Sequence, residues 1–196
     1  MTDAGADRAK RADLTQISKR LSYVLRHHPG SIGAELDRAG WIAVETVLNG
    51  LGAPGRPLDR AVLEQIVADD AKGRYEFDPG RHRIRARQGH SVSVDLGLAA
   101  VRPPDVLYHG TAVRFLERIR AEGLRPMGRH HVHLSAEVST ASTVGSRRGP
   151  SAVLLVDAGA MFRDGHQFFR SANGVWLVDD VPPKYLTEYG GDVSEG

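Results

Sequence analysis

Three short runs in this chain place arginine beside histidine or a glycine turn, a combination suited to gripping phosphate oxygens and moving protons. The first is Leu25-Arg26-His27-His28-Pro29. The Arg26 guanidinium offers a planar fork to a phosphate, and the neighbouring His27 imidazole could manage a proton. Cations at a helix C-terminus also complement its dipole, and taken alone the motif needs no more than that. The second run is Lys72-Gly73-Arg74, a cationic turn that reads equally as a glycine cap with solvated flanks. The third is Arg85-Ala86-Arg87-Gln88-Gly89-His90-Ser91. Gly89 lets backbone approach a ligand, while Arg85, Gln88, His90 and Ser91 supply donors for an RNA backbone. A basic hairpin edge that blocks strand pairing explains the arginines about as well.

Two further runs suit a ribose-bearing or anionic ligand. Tyr108-His109-Gly110-Thr111 reads as a strand ending at a helix N-terminus, where amides, a hydroxyl and an imidazole converge, with Thr111 also fit to serve as N-cap. Gly128-Arg129-His130-His131-Val132-His133-Leu134-Ser135 carries three histidines. His131 and His133 alternate as in a strand, and no acidic residue or cysteine stands close by in sequence, which speaks against zinc. Asn173-Gly174-Val175-Trp176-Leu177 reads as a turn entering a core strand, with Trp176 in the core.

These runs need scaffolds to hold them. Leu14, Ile17, Leu21, Val24 and Leu25 recur at helical spacing, so a helix is expected from an N-cap at Asp13 to the Pro29-Gly30 stop. A short strand or turn leads into a second short helix within 41–49, ended by Gly50, and a third helix spans 59–71. A hairpin follows, its strands around 74–78 and 83–87 flanking Pro79-Gly80. Three helices and a hairpin are in the order of a winged helix. Residues 101–105, with Pro103-Pro104, read as a linker. Beyond it strands are expected at 106–109, 132–135, 151–157, 168–169 and 175–178, helices at 112–122 and 136–145, and a short tail after Pro182-Pro183. The expected divisions are a disordered tail at 1–12, a first lobe at 13–100, the linker, a second lobe at 106–190 and a C-terminal tail at 191–196. The fold class is α+β.

Composition narrows the function classes. Cysteine is absent, which excludes disulfides, thiolate-bound zinc and a cysteine nucleophile, and makes a reducing cytoplasm the natural setting. The N-terminus lacks the apolar stretch of a secretory signal, and no apolar run reaches bilayer-spanning length. The pI near 9.1 mildly favours an anionic partner. Only four of the 26 basic residues are lysines, Lys10, Lys19, Lys72 and Lys184. Most of the arginines reflect codon bias, and only those in motifs carry an argument.

In order along the chain, Ser18-Lys19-Arg20-Leu21-Ser22-Tyr23-Val24-Leu25-Arg26-His27, Asp37-Arg38-Ala39-Gly40-Trp41, Gln88-Gly89-His90-Ser91, Tyr108-His109-Gly110-Thr111, Val132-His133-Leu134-Ser135 and Asn173-Gly174-Val175-Trp176-Leu177 resemble the KptA-type RNA 2′-phosphotransferases. The resemblance covers about residues 14 to 186. It implies an N-terminal winged-helix lobe that binds RNA and a C-terminal ADP-ribosyltransferase-type lobe that binds NAD⁺ as co-substrate. It implies catalytic roles for Arg26, His27, Arg74 and Arg129, and RNA or phosphate contacts from Lys72. Cofactor contacts carry over to His109, Gly110, Thr111, His133, Leu134 and Ser135. The implied reaction removes an internal RNA 2′-phosphate through an ADP-ribosylated 2′-phosphate. It yields RNA 2′-hydroxyl, nicotinamide and ADP-ribose 1″,2″-cyclic phosphate, without a metal. The substrate phosphate is expected between the lobes of a monomer with no membrane partner. Two alternatives stand beside this: an enzyme with the same NAD⁺ pocket that stops at the first step and leaves ADP-ribose on its target, and a winged-helix DNA-binding regulator that only senses NAD⁺, which leaves Arg26, His27 and Arg129 without a role.

Overall fold

The computed structural model describes residues 3–190; the expected C-terminal tail at 191–196 lies outside them. The chain is α+β and divides into two compact units, at Gly97 and Leu98, each with its own hydrophobic core.

In the first unit, α1 (Asp3–Arg26) begins ten residues before the expected start. Asp13 therefore sits inside the helix, not at its cap, and residues 3–12 are helical where a disordered tail was expected. The alanine-, arginine- and lysine-rich stretch that precedes Asp13 favours helix, and Gly5 with Asp3 and Asp7 does not outweigh it. Leu21, Val24 and Leu25 are fully buried, so the 3.6-residue stripe packs as its spacing predicts. A 3₁₀ turn (Pro29–Ile32) follows. α2 (Val44–Leu51) runs through Gly50, because a Cβ there would lie 2.3 Å from the Ile32 side chain: the glycine admits that turn and does not end the helix. α3 (Arg60–Ala68) is capped by Asp59, whose Oδ1 accepts from the Ala61 amide at 2.9 Å, and it stops three residues short of expectation. β1 (Ile42–Ala43), β2 (Tyr75–Phe77) and β3 (Arg83–Ala86) form an antiparallel sheet in the order β1-β3-β2.

The second unit holds two antiparallel sheets. One is β4 (Val106–Ala112), β6 (Ser151–Asp157) and β9 (Leu186–Glu188); the other is β5 (Val132–Leu134), β8 (Trp176–Val178) and β7 (Phe168–Arg170). A bridge between Tyr108 and Ser135 links them. The helices are α4 (Leu116–Glu122), α5 (Val138–Gly145) and α6 (Ala158–Arg163). The segment read as a linker is tied to this unit: Ala100 bridges Phe169, and the Val101 amide donates to the Phe168 carbonyl at 2.8 Å.

α5 lies directly on β4. A Cβ at Gly110 would fall 1.7 Å from the Ala141 carbonyl oxygen, and one at Gly145 would fall 2.9 Å from the Thr111 amide nitrogen. Two glycines therefore face each other where a strand and a helix touch backbone to backbone. Gly110→Ala has to push α5 off the sheet, so it is expected to lower the unfolding free energy of this unit by roughly 3 kcal/mol. Gly128→Ala, at a glycine with nothing within 4 Å, is the matched control. Equal melting temperatures for the two variants would contradict the close-packing account.

Candidate functional site

The first cluster forms where α1 ends. The Tyr23 carbonyl accepts from the amides of His27 (2.9 Å) and His28 (3.1 Å), and the Arg26 carbonyl accepts from the Ser91 amide at 2.9 Å. Ser91 thereby answers an orphan carbonyl of the helix terminus. Its hydroxyl also hydrogen-bonds His27 Nδ1 at 3.0 Å, which fixes the imidazole. Arg26 and His27 are half-buried, with Arg26 Nε and Nη2 shut off from solvent.

Gln88, His90 and Ser91 reach this point through β3. Burial alternates along Ile84, Ala86, Gln88 and His90, so the inward face of the strand continues past its last ladder bond and switches from apolar to polar. Polar side chains on a buried face need polar company, and the run ends at the His27–Ser91 contact.

Arg74 is set by an acid that the sequence reading did not single out. Asp70, with a side chain only 2% exposed, accepts from the Arg74 backbone amide and, at 2.8 Å, from Arg74 Nε. The Asp70–Gly73 turn, closed by a 2.7 Å hydrogen bond and with φ +53° at Gly73, brings the two together. Gly73 is thus a turn glycine well beyond the end of α3, not its cap. Arg74 Nη2 reaches Ser18 Oγ at 3.5 Å, and Tyr75 Oη donates to the Ser18 carbonyl at 3.0 Å. Ser18, Ser22 and Arg26 recur at i, i+4 and i+8, all half-buried, so one polar stripe of α1 runs from the Arg74 guanidinium to Arg26. Helical side chains lean toward the N-terminus, which carries Arg26 back along that stripe. Helical spacing could have exposed Ser18 and Ser22 in the sequence. Asp70 had only its position four residues before Arg74.

Lys72 is exposed beside this cluster. Arg85 is engaged elsewhere: Nε donates to Glu76 at 2.6 Å, Nη1 donates to the Ala39 carbonyl at 3.1 Å, and the guanidinium lies 4.4 Å from the Trp41 ring centroid. Those contacts give it a structural role on the outer face of the hairpin.

The second cluster belongs to the other unit. The strand does not end at His109; β4 continues to Ala112, and Thr111 is a buried strand residue opposite Ala152. The expected helix N-terminus at His-Gly-Thr is therefore absent, and Thr111 is not a cap; Ala112 precedes a 3₁₀ turn and Phe115 precedes α4. What His109 meets instead is β5. Its Nδ1–H donates to the His133 carbonyl at 3.0 Å, because a carbonyl only accepts. Burial pushes the His109 pKa below its ordinary value, against the opposing pull of that hydrogen bond. The ring stays neutral, and Nε2 is its acceptor. Arg129 Nη1 donates to His133 Nδ1 at 3.1 Å, so this nitrogen carries no proton in that arrangement. Ser135 Oγ accepts from the Glu137 amide at 3.0 Å at the start of α5, while Leu134 is a core residue. Arg129, His133, His109 and Ser135 thus lie together, and Gly110 beside them is consumed by helix packing. Among the described residues no three His, Asp or Glu side chains group as a metal site requires.

Two measurements check this geometry. Protonation of His109 is disfavoured in the folded chain, so the unfolded chain binds more protons below the ordinary histidine value of 6.5. Stability is therefore expected to fall as pH drops through that region, and His109→Asn should flatten the slope by up to about one proton. An unchanged slope would contradict a buried neutral imidazole. Separately, the Arg74 Nε–H should give a slowly exchanging NMR signal that is lost in Asp70→Ala; its persistence would contradict the Asp70 hold.

The sequence model of the RNA 2′-phosphotransferase, Tpt1 / KptA family matches residues 12–180. Among curated relatives, a probable RNA 2′-phosphotransferase of Agrobacterium fabrum is 56% identical over 173 residues, 88% of this chain and 93% of the relative. One from Streptomyces griseus is 52% identical over 87% of this chain and 94% of its own, and one from Burkholderia lata is 50% identical over 90% and 91%. With two thirds of the chain or more matched at this identity, the protein belongs to the RNA 2′-phosphotransferase, Tpt1 / KptA family.

Proposed function

We propose that this protein removes a 2′-phosphate from RNA and transfers it to NAD⁺. The observation that carries the reading is the polar end of α1, where Arg26, a Ser91-fixed His27 and an Asp70-held Arg74 occur in a chain of this family. We read the first unit, three helices and a small antiparallel sheet, as a winged-helix RNA lobe. The second unit, with its two antiparallel sheets, we read as an ADP-ribosyltransferase-type lobe. A neutral His109 offering Nε2 as acceptor suits a ribose hydroxyl of NAD⁺, and Arg129 beside it suits a phosphate; these residues fit the co-substrate.

In the first step a phosphate oxygen forms a bond to C1″ of the nicotinamide ribose as the C1″–N bond breaks, and nicotinamide leaves neutral. The nucleophile is already an anion, so the residues need only position it and compensate its charge. Arg26 and Arg74 are suited to that. In the second step the ribose 2″-oxygen bonds to phosphorus as the bond to the RNA 2′-oxygen breaks. One proton leaves the 2″-hydroxyl and one reaches the RNA 2′-oxygen. His27 handles one of these transfers, its ring held by Ser91, while the arginines stabilise the non-bridging oxygens in place of a metal ion.

Incubation of the protein with a 2′-phosphorylated oligonucleotide, with and without NAD⁺ and in the presence of EDTA, tests this by mass analysis. Expected are RNA 2′-hydroxyl, nicotinamide and ADP-ribose 1″,2″-cyclic phosphate, formed only with NAD⁺. A persistent ADP-ribosyl adduct on wild-type product would instead mark an enzyme that stops at the first step. His27→Ala should slow conversion of the ADP-ribosylated RNA by about 10²- to 10⁴-fold; undiminished conversion would remove the proton role.

A further inference from the structure

Among the described residues Tyr23 is the most exposed aromatic side chain, 52% accessible, and the first unit's core makes no use of its ring. It stands on the polar side of α1 one turn before the candidate phosphate site, with Lys19 exposed a further turn back. Its ring centroid is 6.1 Å from that of His27 and 5.9 Å from that of His28, tilted by 48° and 46°, so neither imidazole stacks flat on it. Its backbone is held in the last turn of the helix, where its carbonyl accepts from the amides of His27 and His28. The ring is therefore open to solvent on the same stretch of α1 that carries the candidate phosphate site.

We propose that Tyr23 is the stacking platform for the nucleobase of the nucleotide that carries the 2′-phosphate, an inference that rests on the function proposed above. Single-stranded RNA is held by aromatic side chains on which unstacked bases lie, whatever the base. In a ribonucleotide the base is attached at C1′, the carbon next to the one that bears the 2′-phosphate. A phosphate gripped at Arg26 and His27 therefore brings that base within reach of a ring one helical turn away. Lys19 lies where the RNA backbone would continue along the helix. Stacking is tolerant of base identity, so Tyr23 contributes affinity for the phosphorylated nucleotide and little base preference.

The test compares wild type, Tyr23→Ala and Tyr23→Trp on a 2′-phosphorylated trinucleotide and on its analogue that lacks the base at the phosphorylated position. Tyr23→Ala is expected to raise KM for the base-bearing substrate about 5- to 30-fold with kcat within about twofold, and Tyr23→Trp to keep the wild-type KM. The abasic analogue should show the raised KM already in wild type and no further change in Tyr23→Ala. Without NAD⁺, the indole emission of Tyr23→Trp, read against wild type, should be quenched by the base-bearing oligonucleotide and not by the abasic one. Wild-type KM in Tyr23→Ala, a fall in kcat alone, or equal quenching by both oligonucleotides would each overturn the proposal. Failure of wild type to act on either substrate would overturn the function on which it rests, while the quenching comparison still decides whether a base lies on residue 23. Unchanged melting temperatures verify that the exposed substitutions leave the fold intact.

Discussion

A helix that stops abruptly leaves carbonyl oxygens without partners, and in this protein the way α1 stops organises the first unit's chemistry. The Tyr23 carbonyl is answered locally by His27 and His28, but the Arg26 carbonyl is answered by Ser91, from the far end of the hairpin. That one long-range bond draws the tail of β3 onto the helix terminus. It brings with it the buried polar residues Gln88 and His90 and supplies the hydroxyl that orients His27. Arg74 meets the same polar stripe of the helix two turns earlier, through Ser18 and the Asp70 turn. A structural need, the satisfaction of a helix end, and a chemical one, a fixed imidazole beside guanidinium groups, are met by the same contacts.

The second unit is organised by a different constraint, the approach of α5 to β4 at Gly110 and Gly145. With no side chain between them, the helix sits low on the sheet, and the Tyr108–Ser135 bridge holds β5 alongside. His109 then meets the His133 carbonyl, and its tautomer follows from that partner. The His109 tautomer thus follows from backbone placement and its neutrality from burial, while the Arg129 side chain meets the other imidazole.

The long periodic features were legible in the sequence. The buried stripe of α1, the hairpin and the β6 strand lie where spacing and alternation put them, and the α+β class follows from them. Of the short elements, β5, β7 and β8 lie where strands were expected, whereas α6, of six residues, and β9, of three, were not read because so few residues show no period. Asp13 misled because a capping residue is only a cap where the chain before it leaves the helix, and here the preceding residues favour helix too. Thr111 misled likewise, since a Gly-Thr pair after a strand looks like a helix entry until its register against Ala152 is known. Within the candidate sites the charged residues of the motifs were visible by type. The residues that aim them were not, because Asp70, Ser18 and the His133 carbonyl act through contacts that only the fold creates. Gly110 was visible as a glycine, but what approaches it is a helix backbone. Arg85 shows the reverse case, an arginine in a promising motif whose guanidinium is absorbed by Glu76, Ala39 and Trp41.

The ligand we propose for Arg26 and Arg74 along α1 is a phosphate monoester on RNA. Equilibrium affinity for a 2′-phosphorylated oligonucleotide, measured without NAD⁺ against the same oligonucleotide with a 2′-hydroxyl, isolates that interaction. Wild type is expected to prefer the phosphorylated strand clearly, and Arg74→Ala to lose the preference. Equal affinity of wild type for the two strands would rule the phosphate role out.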